Sequence, residues 1–510
     1  MINEQISPLS KRAVEWTLTF EDHVNRRRIW YMALISLTYF AMSAGSALRK
    51  PLWYDELFTY ALSRLPSCQA IWIALSQGAD IHAPLDYWLR HLSMKWLGAG
   101  DFAFRLPSLV AFWVCLACLY RFVSVRTSPF YGLFATLIPF STIAYKVSHE
   151  GRMYAILLGW CGLALMSWQA AEGKWRRVML LLLGFSLAAA IYTHYYGVLL
   201  SVVIGIGEIA RIPARRKVDR ALLAVVVGAP AAALVSLIPL IMAAREFAPT
   251  FWTPVSFTNA INLYPLVFHK LVVPTLVLVA VSATAPFMRG IYSKITAPPA
   301  HELVLGMAFL AWPLFVYVLA VLVTHALWFR YALPAALGLA ILAPYGLRLL
   351  ARAQPFAPIA MAAIFFLMML GVGASYHAAH KGEQNLITST EAAMTTAVKS
   401  TGPAVIANGE LFLQLQRYLS PELAQKIVYL YDVNGPSGEI FYDRLRTHVP
   451  VNILSYEPFV RENPDFLLYL PNGAPGEPWL TQRLLKDGFT LTVADHHQDQ
   501  PVYRVSKASR

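Results

Sequence analysis

The stretch PLWYDELFTY, residues 51–60, places two adjacent carboxylates, Asp55 and Glu56, a few residues after a long apolar run. A carboxylate in such a position can act as a general base, and a neighbouring carboxylate can shape its pKa. The residues also allow a structural role, because negative side chains favour the positive N-terminal end of a helix over 57–63. The pair has no D-x-D spacing, so a divalent metal is possible here but is not implied.

A second acidic site lies in SHEGRMY, residues 148–154, directly before another apolar run. Ionisable residues at a membrane edge often mark function, because burying them is costly. Glu150 beside Arg152 can therefore provide a second acid next to a cation that handles an anionic group. The same two residues also fit an ion pair that only anchors the helix at the interface.

Histidine and arginine occur in three further polar stretches: IHAPLDYWL at 81–89, YTHYYG at 192–197 and HALWFRYALP at 325–334. His82 precedes a proline that would start a helix well, and it also fits a solvated loop histidine. Arg330 lies between apolar runs on the side without basic loops, against the usual orientation rule. A guanidinium in this position can bind phosphate through paired hydrogen bonds.

Composition favours an integral membrane protein, because 57% of the 510 residues are hydrophobic and only 14% are charged. The net charge of +13 alone would fit a nucleic-acid-binding protein. However, residues 1–376 hold 30 Lys or Arg and 15 Asp or Glu, whereas residues 377–510 hold 12 and 14. The excess of positive charge therefore lies in residues 1–376, where basic loops that set the membrane orientation account for it. We expect no nucleic-acid partner.

Apolar runs of about 20 residues can cross a bilayer as helices. Eleven are predicted: 29–48, 106–125, 129–147, 153–171, 178–195, 197–210, 221–243, 265–288, 303–325, 331–348 and 356–376. Lys and Arg cluster in the N-terminus and in every second connecting segment, and such segments usually face the cytoplasm. The intervening segments, which carry the polar stretches above, are then outside. An odd number of spans places residues 377–510 outside as well.

This pattern predicts a mainly α polytopic membrane protein with a small soluble α/β domain at its C-terminus. Residues 1–28 are predicted to form a cytoplasmic N-terminus, 29–376 a transmembrane domain, and 377–510 the extracytoplasmic domain. The first outer loop, 49–105, is too polar to span and indicates amphipathic helices at the interface. In the C-terminal domain the predicted strands are 404–407, 426–431, 466–470, 489–493 and 502–505, and the predicted helices are 410–419 and 479–486.

In the order and sidedness of its motifs, the chain resembles GT-C fold glycosyltransferases of the polyprenyl-phosphate-sugar type. Within this fold it is similar to glycosyltransferase family 39. It resembles both the protein O-mannosyltransferases and the transferase that adds aminoarabinose to lipid A. The matching stretches are WYDEL at 53–57, HAPLDYW at 82–88, G…RLPS at 98–108, the Glu150, Arg152 and Tyr154 set, THYYG and FRYALP. The resemblance covers roughly residues 29–350. Two positions depart from the pattern, since the lipid A enzyme has Lys where His82 stands and relatives can carry Asp in place of Glu150.

The resemblance implies transfer of a sugar from a polyprenyl-phosphate donor to an envelope lipid, glycan or protein. The reaction would take place at the outer face of the bacterial inner membrane, in contact with membrane lipids and with inversion at the sugar. It implies Asp55 as the catalytic base, with Glu56 and Glu150 orienting groups or stabilising a cationic sugar. The residues that we assign to the donor phosphate are His82, Arg152, His194, Arg330 and Tyr331. No metal site or cofactor is assigned.

Two other classes remain open from the sequence. A transporter or flippase of a lipid-linked sugar would also need membrane spans and a phosphate site. Transporters often contain internal repeats and broken helices near the bilayer midplane. No repeat is visible in this sequence, and its charges cluster on one face. The other class is a non-catalytic envelope-assembly subunit, with residues 377–510 as its binding module.

The first testable prediction concerns topology. We expect the N-terminus in the cytoplasm and residues 377–510 outside, because the basic segments fall on one side. A reporter that works only outside the cytoplasm, fused after residue 380, should be active. A reporter that works only in the cytoplasm should be silent at the same position and active when fused at the N-terminus. The opposite pattern would place the polar stretches inside the cell and contradict the site argument.

Overall fold

The computed structural model describes most of the chain and shows a mainly helical protein with one mixed β-sheet. The described residues are 8–246, 254–268, 271, 274, 298–351, 356–397, 403–432, 439–470, 478–497 and 500–507. The chain divides into two compact units. The first, here the membrane unit, comprises Met1–Ala47, His82–Asp86 and Arg105–Tyr376, and the second, here the loop-and-tail unit, comprises Leu48–Ile81, Tyr87–Phe104 and His377–Arg510.

The helices before residue 400 are mostly apolar. They are Pro8–Arg26, Arg28–Arg49, Tyr54–Ser63, Cys68–Ser76, Leu85–Leu97, Asp101–Ser124, Pro129–Leu137, Ala144–Ser148, Tyr154–Ala170, Arg176–Thr193, Val198–Arg215, Arg220–Ser236, Ile238–Arg245, Phe257–Phe268, Ala300–Leu310, Trp312–Leu319, Ala335–Leu350 and Ala357–Ala397. Short 3-10 or π turns extend several of them.

In the described part of the chain, six helices are long and apolar enough to cross a membrane. The number becomes eight if each of two bent pairs counts as one span. The pairs are Arg220–Ser236 with Ile238–Arg245, bent by 64°, and Ala300–Leu310 with Trp312–Thr324, bent by 52°. The protein is therefore a multi-pass membrane protein.

Among the described residues, six to eight spans meet this length, against eleven predicted runs. The predicted runs at 129–147 and 153–171 form the shorter apolar helices Pro129–Ser141 and Tyr154–Ala170. The first is interrupted at Pro139, where a 3-10 turn begins, because proline cannot donate the helical hydrogen bond. Most of the predicted run 265–288 lies outside the described residues.

One end of the membrane unit contains a buried acid with three partners. Glu302 is fully buried, and its Oε1 lies 2.7 Å from Nε of Arg126. The Gln169 amide donates to the same oxygen at 3.1 Å, and the Tyr345 hydroxyl donates to Oε2 at 2.7 Å. A buried charge is tolerated when it is paired and hydrogen-bonded, so these contacts explain how Glu302 is accommodated.

The Arg residues of the basic segments at this end form ion pairs with nearby acids, and the charge pattern of the sequence did not predict these pairs. Arg215 lies 2.7 Å from the Glu208 carboxylate and 2.9 Å from that of Glu172. Arg176 lies 2.6 Å from Asp219, whose side chain also caps the next helix. The cations that indicate orientation in the sequence therefore also join neighbouring helix ends to one another.

Two helices connect the Glu302 cluster with the opposite end of the membrane unit. Helix Tyr154–Ala170 begins after Glu150 and helix Ala335–Leu350 begins after Arg330, whereas both end beside Glu302. At 1.5 Å per residue, helices of this length are roughly 25 Å long. Glu150 and Arg330 thus lie about one bilayer core away from the basic segments.

The loop-and-tail unit contains a six-stranded sheet. Its strands are β1 (Ala404–Ile406), β2 (Ile427–Tyr431), β3 (Ile453–Ser455), β4 (Asp465–Tyr469), β5 (Phe489–His497) and β6 (Gln500–Lys507), in the order β3-β2-β1-β4-β6-β5. The pairs among β1, β2, β3 and β4 are parallel, and those of β6 with β4 and β5 are antiparallel. Its helices after residue 400 are Gly409–Tyr418, Pro421–Ala424, Glu439–His448, Tyr456–Glu462 and Pro478–Lys486.

Each of the five predicted strands overlaps a strand of this sheet, and both predicted helices are present. β3 was missed, because it has only three residues and only one of them is buried. Residues 48–81 and 87–104 of the first outer loop group with the C-terminal residues in the loop-and-tail unit. One reason is aromatic packing, since the Tyr442 ring lies 5.5 Å from Phe58 and 6.2 Å from Tyr54.

Candidate functional site

The membrane unit brings together residues from four separate polar stretches of the sequence. They are His82, Glu150 with Arg152, His194, and Arg330 with Tyr331. All six lie in turns or at helix termini rather than within the long apolar helices. All except His82 are buried, and His82 is half-buried.

Glu150 and Arg330 form a buried ion pair. Nη2 of Arg330 lies 3.7 Å from Oε2 of Glu150, and the two residues are 8% and 0% exposed. This separation is longer than a hydrogen bond, so the interaction between these two atoms is an attraction between charges. The guanidinium also lies 5.6 Å from the ring centre of Tyr154, within the range of a cation–π interaction.

A short turn explains the position of Arg330. The chain leaves a bent helix pair and forms a 3-10 turn at Phe329–Ala332. The indole of Trp312 donates to the backbone carbonyl of Tyr331 at 2.9 Å, and this bond fixes the turn to the preceding helix. Arg330 is thereby held inside the protein, although its chemistry favours water.

Arg152 contacts the histidine that the sequence singled out from the first outer loop. Its Nη2 lies 3.3 Å from Nε2 of His82. A guanidinium has only donors, so the histidine nitrogen accepts this bond. The hydroxyl of Ser108 donates to the backbone carbonyl of Arg152 at 3.3 Å, which ties the turn to a neighbouring helix.

A backbone hydrogen bond orients the ring of His194. Its Nδ1 accepts the backbone N–H of Tyr196 at 3.1 Å, so the proton of the neutral ring lies on Nε2. Burial lowers the pKa of His194 well below its ordinary value, and the nearby His82 and Arg152 lower it further. At neutral pH this residue can therefore offer an N–H group but no positive charge.

Aromatic rings form one wall around these groups. The Tyr331 ring lies 4.9 Å from that of His194 and stacks at 4.8 Å on that of Tyr196. The Tyr196 hydroxyl hydrogen-bonds to Thr324 and to the Ala326 carbonyl. The sequence did not assign Tyr196 a role, although it lies within the quoted THYYG stretch.

The two carboxylates of the first outer loop lie in the loop-and-tail unit and differ in their surroundings. Glu56 is fully buried, and its Oε2 accepts the backbone N–H of Trp53 at 3.3 Å, which caps helix Tyr54–Ser63. Asp55 is half-buried, and its backbone carbonyl accepts from the Thr59 hydroxyl at 3.0 Å. Both acids lie in the first turn of this helix, and Glu56 in addition caps it.

Within the described residues, no three His, Cys, Asp or Glu side chains come together as candidate metal ligands. The membrane unit instead offers two guanidinium groups, two imidazoles, a buried carboxylate and an aromatic wall. Such a set can bind an anionic headgroup and, through the carboxylate, a group that develops positive charge.

Comparison with known proteins concerns the fold and one segment of the sequence. Residues 81–242 match the sequence profile of the family described as dolichyl-phosphate-mannose-protein mannosyltransferase. The fold is similar to that of ArnT from Cupriavidus metallidurans in the apo state, with a TM-score of 0.60 and 13% identity. The match covers 93% of this chain and 97% of ArnT. ArnT bound to undecaprenyl phosphate gives the same coverage and identity with a TM-score of 0.57.

No protein of curated function matches this chain in sequence. The chain has the GT-C fold, as its motifs predicted, and the family match indicates that it is a glycosyltransferase. The matched segment, 81–242, contains four of the predicted site residues: His82, Glu150, Arg152 and His194.

Proposed function

We propose that the chain is an inverting glycosyltransferase that moves a sugar from a polyprenyl-phosphate donor to a bacterial envelope acceptor. The acceptor is a lipid, a glycan or a protein, reached from the outer face of the inner membrane. The observation that carries the proposal is the buried pair of Glu150 and Arg330, with Arg152 and two histidines beside it, in a chain of GT-C fold.

The cations of this set are suited to a lipid phosphate. Arg152 and Arg330 supply positive charge, and His82 and His194 supply N–H groups, with Tyr331 beside them. Negative charge develops on the phosphate oxygen as its bond to the anomeric carbon breaks. Fixed donors stabilise that charge without reorganisation in the transition state. ArnT, which shares the fold, binds undecaprenyl phosphate, and this supports the same kind of donor here.

Asp55 is the proposed base. It takes the proton from the acceptor hydroxyl or phosphate, whose oxygen then attacks the anomeric carbon opposite the leaving polyprenyl phosphate. That direction of attack inverts the configuration of the sugar. The capping bond of Glu56 supports the choice of Asp55, because a carboxylate that holds a helix end is less available as a base. Glu150 orients groups or stabilises the cationic sugar.

The proposed sidedness has the N-terminus in the cytoplasm and the chemistry outside. Its support is that Glu150 and Arg330 lie at the helix ends opposite the Arg-rich segments, which usually face the cytoplasm. A lipid-linked donor would keep its prenyl chain in the bilayer while its phosphate reaches these helix ends.

A flippase of a lipid-linked sugar is the second candidate. The two bent helix pairs favour it, because broken helices are common around transporter substrate sites. The paired acids and cations at the helix ends favour transfer chemistry instead.

For the donor site, we expect Arg330→Ala to weaken binding of a polyprenyl phosphate roughly ten- to a hundred-fold, because charged hydrogen bonds are lost. Arg330→Lys should weaken it less, since Lys keeps the charge but loses the paired geometry. Binding to purified, folded variants measures both effects. Equal affinity in the wild type and the Ala variant would remove Arg330 from the site.

For the base, we expect Asp55→Asn to abolish transfer while donor binding stays at the wild-type level. Asn keeps the shape of the side chain but cannot accept a proton at neutral pH. Glu56→Gln is the matched control, because its amide oxygen can still accept the Trp53 N–H, and it should cost much less.

The assay for these variants uses a polyprenyl-phosphate sugar with an envelope acceptor extract, and donor binding is measured separately. The loss at Asp55 should appear in kcat, because a base acts in the transition state. Transfer at the wild-type rate by Asp55→Asn would refute its role and make Glu56 or Glu150 the next candidate.

A further inference from the structure

The C-terminal residues and the first outer loop share hydrogen bonds that lie next to the acidic pair. We propose that helix Gly409–Tyr418, here the clamp helix, positions Asp55 for the reaction, with Gln414 and Tyr418 as positioning residues. This inference rests on the proposed function, because it assumes that Asp55 is the base.

The clamp helix contacts the loop backbone immediately before Asp55. The Tyr418 hydroxyl accepts the backbone N–H of Leu52 at 2.8 Å, and the Gln414 amide donates to the Leu52 carbonyl at 3.2 Å. Leu52 is itself fully buried. Both backbone polar groups of one residue, three positions before Asp55, are thus satisfied by side chains from the distant C-terminal segment.

A third contact lies one residue before Asp55. The backbone N–H of Tyr54 donates to Oε1 of Glu410 at 3.3 Å. Tyr54 is the first residue of its helix, where N–H groups have no partner within the helix. Glu410 therefore caps the helix that carries Asp55, and its negative charge suits the positive end of that helix.

The three side chains belong to one face of the clamp helix. Glu410, Gln414 and Tyr418 are spaced four residues apart, so they follow one another along the same side. The other side of this helix packs into the domain, where Phe412 and Leu415 are fully buried. The helix is therefore anchored on one side and presents a row of hydrogen-bonding groups on the other.

A second part of the loop is held by the end of the same helix. The Tyr418 hydroxyl also donates to the Asp101 carboxylate, which lies 2.9 Å from Nη2 of Arg417. Arg417 in addition donates to the Ala99 carbonyl at 3.1 Å, and this carbonyl accepts the Tyr60 hydroxyl at 2.9 Å. The contacts thus continue to Tyr60, within the helix of Asp55.

Close packing keeps the first turn of the clamp helix near the loop. A Cβ atom on Gly409 would lie 1.9 Å from the Tyr442 hydroxyl, so only glycine fits without displacement. The Tyr442 ring in turn packs against Phe58 and Tyr54 of the acidic helix. Position and orientation of that helix are therefore set by residues more than 350 positions away in sequence.

Catalysis is sensitive to such positioning, because a misplacement of about 1 Å can cost on the order of a hundred-fold in rate. The contacts reach the backbone around Asp55 rather than the membrane unit that carries the proposed phosphate-binding residues. Their loss should therefore lower kcat and leave the donor KM unchanged.

The test compares variants of the clamp helix in the full-length protein. Gln414→Leu and Tyr418→Phe remove the polar contacts to Leu52 while keeping side-chain bulk. We expect each to lower kcat about ten-fold, with the donor KM within about two-fold of the wild type. Gln414→Lys restores an N–H donor toward the Leu52 carbonyl and should recover most of the rate.

Gln416→Leu is the matched control, because Gln416 is on the same helix but donates to Ala424 within the domain, at 2.7 Å. It should retain the wild-type kcat. Hydrogen–deuterium exchange gives a second measurement that needs no turnover. The Leu52 amide should exchange faster in Tyr418→Phe than in the wild type, while the sheet amides of residues 427–431 keep their protection.

The possible results separate this inference from the proposed function. If the wild type transfers sugar and Asp55→Asn does not, but the Gln414 and Tyr418 variants have the wild-type kcat, the positioning role is refuted alone. A loss that Gln416→Leu shares equally, or that Gln414→Lys fails to rescue, also refutes it and indicates general destabilisation. Absence of transfer by the wild type would instead count against the proposed function.

Discussion

The buried ion pair of Glu150 and Arg330 is the constraint on which the membrane unit depends. Removing two charges from water costs more than their attraction returns unless the geometry is good and further polar contacts are made. Here one charge lies beside an aromatic face, and both lie where apolar helices begin. Burying these two charges is costly, and in the proposed function an anionic donor headgroup provides further contacts for Arg330.

Buried charges also occur at the opposite ends of these helices. There the charges are closely paired, with Glu302 bound by three side chains and Arg215 in contact with two acids. At the Glu150 end Arg330 lies 3.7 Å from Glu150, and burial lowers the pKa of His194. One end of the membrane unit therefore has close ion pairs, and the other brings together the cations that are proposed to bind a phosphate.

Much of the fold could be predicted from the sequence, since apolar runs and strand-like alternation are local signals. The length of the helix predicted at 129–147 was overestimated because a proline interrupts it, and β3 was missed because it is short.

The residues around Glu150 could be singled out from the sequence because each is a polar group beside an apolar run. The partners of Leu52 could not be found in this way, because Gln414 and Tyr418 are ordinary polar residues of an amphipathic helix. Likewise, the sequence around His194 does not predict that burial lowers its pKa or that its ring accepts a backbone hydrogen bond.

The central claim is that the protein breaks the bond between sugar and phosphate rather than moving the intact lipid across a membrane. Detergent micelles separate these possibilities, because transport needs two compartments and transfer does not. The most direct measurement is mass spectrometry of a polyprenyl-phosphate sugar incubated with the purified protein and an envelope extract in detergent. The account predicts that free polyprenyl phosphate appears as the donor disappears and that the sugar is recovered on an acceptor. An intact donor in detergent, together with movement of the same lipid across the membrane of reconstituted liposomes, would contradict it.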